Sequence, residues 1–89
     1  MKAIITILGK DKVGIISSVS TLLANHKVNI LDITQTVMKE YFTMTMLVDL
    51  ERLDTEFIVL QEELSNRGQE IQMDIRIQRE DIFEKMYGI

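Results

Sequence analysis

Tyr41-Phe42-Thr43-Met44-Thr45-Met46-Leu47-Val48-Asp49-Leu50 alternates almost without interruption. Phe42, Met44, Met46, Val48 and Leu50 fall on one side of an extended chain. Tyr41, Thr43, Thr45 and Asp49 fall on the other, with Leu47 the exception. A period of two with one apolar side predicts a strand that buries one face and leaves the other largely polar. Immediately upstream, Val28 to Met38 is rich in β-branched residues (Val28, Ile30, Ile33, Thr34, Thr36, Val37), and only Lys39-Glu40 separates the two runs. So short a gap predicts a hairpin.

Outward from the hairpin, each flank repeats one pattern. On the N-terminal side, Ala3 to Leu8 reads as a buried strand ended by Gly9. From Gly14 to His26, Ile15, Val19, Leu22 and Leu23 recur at helical spacing. On the C-terminal side, Asp54 is placed as an N-cap, Leu53 is placed to staple to Ile58, and Phe57, Leu60 and Leu64 form an inward stripe up to a glycine stop at Arg67-Gly68. Ile71, Met73, Ile75 and Ile77 then alternate with Gln72, Asp74, Arg76 and Gln78, a second one-sided strand. The resulting order is two βαβ units in succession, and right-handed crossovers place both helices on one face of the sheet. The expected architecture is α+β: a ferredoxin-like βαββαβ plait with a four-stranded antiparallel sheet. Residues 1–79 form the domain, and 80–89 form a tail whose Ile82, Phe83 and Met86 suit a short helix.

Composition excludes several classes of function. The chain has 89 residues, 46% hydrophobic and 27% charged, which fits one globular domain. A core this small gains from self-association, so a homodimer is expected. Ten Lys and Arg stand against 14 Asp and Glu, a net charge of -4. Nucleic-acid binding needs a basic stripe to displace counterions, so no nucleic-acid partner is expected. There is no cysteine, hence no disulfide or thiolate zinc site, and a reducing, cytoplasmic setting fits. Met1 to Leu8 is too short for a membrane span and lacks the features of a signal peptide.

The loop Gly9-Lys10-Asp11-Lys12-Val13-Gly14 carries the chemistry. Gly14 opens a helix, where free backbone N–H groups and a partial positive charge suit a carboxylate or phosphate. Asp11 beside it suits an ammonium, so the pair matches both ends of a free amino acid, and Asn29 at the start of the second strand offers an amide. The plainer alternative is that Asp11 caps the helix, Gly9 and Gly14 serve turns, and Asn29 bonds a nearby peptide. The glycine spacing imitates a phosphate loop, G-x-x-x-x-G-K-[ST], but Ile15-Ile16 replace the Lys and Ser/Thr that chemistry requires.

Three segments in register, Gly9 to Ile16, Val28-Asn29-Ile30-Leu31-Asp32-Ile33 and Tyr41-Phe42-Thr43-Met44, resemble the ACT domain, whose loop reads near G-x-[DN]-x-P-G-[IV]-[LIV]. Within that family the chain is similar to short prokaryotic ACT proteins and to the ACT domains of glycine-cleavage repressors. The resemblance implies a regulatory module, not an enzyme, that binds an amino acid at a dimer interface and needs no cofactor. Gly9, Asp11, Gly14 and Asn29 are then the ligand-facing set. Three positions depart from the pattern: Val13 stands where proline is usual, Lys27 where a glycine follows the first helix, and Lys39-Glu40 where the hairpin commonly has glycine. Lys27 costs about 1 kcal/mol if its backbone is left-handed.

Other features give no site. His26 is the only histidine and ends a helix, where it serves as a cap and where its cation is favoured; no Cys or second His can complete a metal site. Met44 and Met46 are core filler. Tyr41 and Phe42 are adjacent and so point to opposite faces, unlike the stacking aromatics of an RNA-binding sheet. Asp11, Asp32 and Asp49 are spread over separate elements, and no nucleophile–base arrangement accompanies them. A small-molecule effector and a protein partner remain; the other reading is a ligandless interaction module that docks through a sheet edge or through Ile82, Phe83 and Met86.

Overall fold

The computed structural model describes residues 1–88. Its elements are β1 (Lys2–Lys10), α1 (Ile15–Asn25), β2 (Asn29–Met38), β3 (Tyr41–Asp49), α2 (Phe57–Ile71), β4 (Met73–Arg79) and α3 (Glu80–Tyr87). The strands form one antiparallel sheet in the order β2-β3-β1-β4. The helix in the expected 80–89 tail is α3; Ile89 lies outside the described residues.

Alternation decides which side of each strand enters the core. Ala3, Ile5 and Ile7 of β1, Phe42, Met44, Met46 and Val48 of β3, and Met73, Ile75 and Ile77 of β4 are buried together with Ile15, Val19, Leu22 and Leu23 of α1 and Leu60 and Leu64 of α2. Each large aliphatic side chain so enclosed contributes about 1.5–3 kcal/mol. Arg67 adds a polar tie between the helices, its Nη1 donating to Ser18 O at 2.9 Å and Ser18 Oγ at 3.1 Å. α3 turns back against β1 and β4, where Gln78 Nε2 donates to Met86 Sδ at 3.5 Å.

Both ends of α2 differ from expectation. The helix begins at Phe57 behind Glu56, and no side chain caps it. Asp54 is instead drawn to His26, and Ile58 is exposed rather than stapled. The helix also passes through Gly68 to Ile71 and stops at Gln72, whose φ is 59°. A Cβ on Gly68 would stand 2.5 Å from Met73 O, so this glycine permits close approach of helix and strand rather than ending the helix. Ile71 consequently closes α2, and β4 begins at Met73.

The strand β2 is the outlier in burial. It lies at the sheet edge with Ile33, Gln35 and Val37 opposite the buried Met46, Met44 and Phe42, yet all three are exposed. The core reaches only the start of β2, where Ile30 packs against it, and beyond that the inward side of the strand is left exposed. A register shift between Ile30 and Asp32 marks a bulge in this strand.

Candidate functional site

The β1–α1 loop is held at one end of the sheet. Asp11 N–H donates to Glu40 O at 2.7 Å, which anchors the loop to the tip of the β2–β3 hairpin. Gly14, at φ 89° and ψ 4°, then turns the chain into α1 through a left-handed conformation suited to glycine. The helical ladder starts with Ser18 N–H donating to Gly14 O at 3.0 Å, and Ser17 Oγ donates to the same oxygen at 3.2 Å. No side chain caps the helix, so the amides of Ile15, Ile16 and Ser17 point outward without an intrahelical acceptor.

Asp11 is exposed, and its carboxylate makes no hydrogen bond or ion pair among the described residues. The capping alternative for this residue therefore has no geometric basis. A shallow depression of about 360 Å³ runs from Asp11 to Ser17 and is closed by Gln35 of β2 and Phe42 of β3. Gln35 was not legible as a site residue in isolation. The available signal was its phase: it is the polar member of the inward series Ile33, Gln35, Val37.

Gly9 and Asn29 stand apart from this depression. Gly9 is inside β1, paired with Phe42 and Met73, and a Cβ there would lie 2.6 Å from Met73 Sδ. Its evident role is close packing. Asn29 pairs with Asp49, which in turn pairs with Lys2, whereas the loop follows Lys10. Eight residue steps along β1 separate those levels, roughly 26 Å at the rise of a strand. Asn29 also shares the face of Asp49, away from the helices, since Val48 and Leu50 on either side of Asp49 are buried. One chain alone thus unites Asp11 with Gly14, keeps Gly9 nearby in the strand, and leaves Asn29 at the far end.

His26 occupies a separate polar junction. Its Nδ1 lies 2.8 Å from Asp54 Oδ1, and its Nε2 forms an ion pair with Glu63 Oε2. Ionised carboxylates only accept, so the ring donates to both acids at once only in its imidazolium form. The bond to Asp54 raises the pKa from its ordinary 6.5; partial burial opposes this, and Glu63 reinforces it. Among the described residues no three His, Cys, Asp or Glu side chains are grouped to hold a metal. No helix is long and apolar enough to cross a membrane.

The chain is a βαββαβ plait in which an uncapped helix start lies beside an exposed carboxylate. Residues 2–78 match the ACT domain, and the chain belongs to the ACT-domain family, whose members are generally small-molecule-binding regulatory domains. Among its relatives, a UPF0237 protein of Clostridium acetobutylicum is 55% identical over 86 residues, covering 97% of both chains. Among solved structures, an ACT domain protein from Streptococcus pneumoniae superposes with a TM-score of 0.82 at 46% identity, covering 94% of both chains. A putative glycine cleavage system transcriptional repressor superposes at 0.72 with 26% identity over 88% of this chain and 44% of its own.

Proposed function

We propose that the protein is a cytoplasmic amino-acid-sensing module that acts as a homodimer, signals through a partner protein and catalyses no reaction. The observation that carries this reading is the set of bare α1 amides beside the unpartnered Asp11 carboxylate. Amides and helix dipole suit a carboxylate, and Asp11 suits an ammonium. The sensing unit is residues 1–79, with 80–89 as an appendage.

Dimerisation supplies what one chain lacks. Pairing two copies antiparallel along their exposed β2 edges would bring the Asn29 end of one strand to the end of the sheet that carries the other's Asp11 and Gly14, with Gly9 packed within β1 behind them. The alternative of a ligandless docking module draws on the exposed Ile82 and Met86 of α3. Thermal unfolding in the presence of each of the common amino acids separates the two. Sensing requires that one of them stabilise the protein, by about 2.7 kcal/mol at 100 times its Kd. Asp11→Ala should abolish that gain without altering the unliganded protein. A uniformly flat screen would refute sensing and favour docking.

A further inference from the structure

The sheet has two edges, β2 and β4, and β4 is the more regular. β2 carries the bulge between Ile30 and Asp32, whereas β4 pairs with β1 from Met73 to Arg79 without a register shift. Proline, bulges and inward-pointing charges are the usual devices that keep a bare edge from pairing. β4 has none of them: the chain contains no proline, and Met73, Ile75 and Ile77 on the inward side of the strand are apolar and buried. Beside this edge lies a depression of about 320 Å³, lined by residues 74–78 and by Gln61 and Ser65 of α2.

The charges of β4 lie on its outward side. Arg76 Nε meets Asp74 Oδ2 at 3.2 Å, and the two side chains are 74% and 52% exposed. Among the described residues the Nη groups of Arg76 have no acceptor. Opposed residues of an antiparallel ladder share a face, so two copies of β4 related by a two-fold axis must centre on a residue rather than between two. Centred on Ile75, the pairing sets Met73 opposite the other copy's Ile77 and Asp74 opposite its Arg76, and symmetry repeats both contacts. The outward side then carries a square of alternating charge, each acid flanked by two guanidinium groups. Opposed Cβ atoms in such a ladder stand about 4.5–5.5 Å apart, within reach of the free Nη groups. Centring on Asp74 or on Arg76 would set like against like, so electrostatics select one register. The paired stretch, Met73 to Ile77, ends before α3 begins at Glu80.

We propose that β4 is a second self-association edge, on which another copy of this chain adds its own β4 antiparallel, centred on Ile75. This goes beyond the sensing reading, which places no residue at this edge. It also uses the edge opposite β2, so both junctions can be occupied at once. Two-fold axes at opposite edges of one sheet do not coincide, and copies joined through both extend as an open ribbon. β4 is the weaker junction. Its apolar side chains are already buried, so pairing adds main-chain hydrogen bonds and charge contacts rather than apolar burial.

The test is NMR diffusion in the millimolar range on the Val37→Lys protein, whose β2 edge is disabled, and on charge variants made in that background. The parent is expected to associate as its concentration rises. Asp74→Arg alone and Arg76→Asp alone each oppose like charges and should weaken association about tenfold or more. Mixed in equal amounts, the two variants regain alternating charge, and the mixture should associate as the parent does. So should the double variant Asp74→Arg with Arg76→Asp, which exchanges the signs within one chain. Rescue by mixing also excludes misfolding as the cause of either loss. A parent that stays monomeric at millimolar concentration overturns the proposal. Single variants that associate as the parent does overturn it too, as does a failure of both the mixture and the double variant to associate. None of these outcomes bears on amino-acid binding, which the thermal screen reads separately.

Discussion

His26 shows how much one side chain can join. It ends α1, meets Asp54 in the β3–α2 connection and meets Glu63 on α2, so its charge holds three segments together. Its folded pKa is raised above 6.5, so its stabilising effect is complete below the unfolded value and is lost as pH rises through the folded one. Urea unfolding across neutral pH should show stability falling with rising pH in the wild type and a flatter profile in His26→Gln. A constant difference between the two at every pH would mean that the ring is not charged in the native state. The sequence alone showed a cation-favouring helix end but not these acids, because both partners arrive through tertiary folding. The same limit applies to Asp11: its residue type was informative, whereas the freedom of its carboxylate from any partner among the described residues became visible only once the loop was seen anchored through its backbone.

At the scale of elements, glycine had two meanings that composition does not separate. Gly68 looked like a helix stop, but it lies within α2, where its missing Cβ makes room for Met73 O at 2.5 Å and Ile75 Cγ1 at 3.1 Å. Gly9 looked like a turn, but it lies within β1 beneath Met73 Sδ. The obstacle at Gly68 is backbone and cannot move without displacing β4; the nearest one at Gly9 is a flexible thioether. Gly68→Ala should therefore destabilise by about 1–3 kcal/mol, and Gly9→Ala by less, since Met73 can swing aside although Gln72 O at 3.1 Å must also yield. Equilibrium unfolding of the two variants checks the ranking, and a reversed order would contradict it. Strand and helix identities were legible because periods of two and 3.6 are written directly in Phe42 to Leu50 and Ile15 to Leu23. The true stop of α2 was not, because Gln72 in a left-handed conformation has no such signature.

For the whole molecule, nothing in the sequence marks β2 as the strand that the helices leave largely uncovered. Ile33 and Val37 have the pattern of an inward face, and on that ground β2 looks like any other strand of the sheet. Two helices do not reach across four strands, and β2 at the edge remains bare, with Val37 48% exposed. An edge of this length carrying apolar residues is a template for another strand. Sedimentation equilibrium should therefore find a dimer, and Val37→Lys should shift it toward monomer while circular dichroism and the melting transition persist. A wild type that stays monomeric at micromolar concentration would remove β2 as a dimer junction.

The single bond from Asp11 N–H to Glu40 O links the mouth of the first helix to the far tip of the outermost ribbon. In the proposed reading, an occupant lodged beside Asp11 would sit one backbone hydrogen bond from the periphery at Lys39 and Glu40.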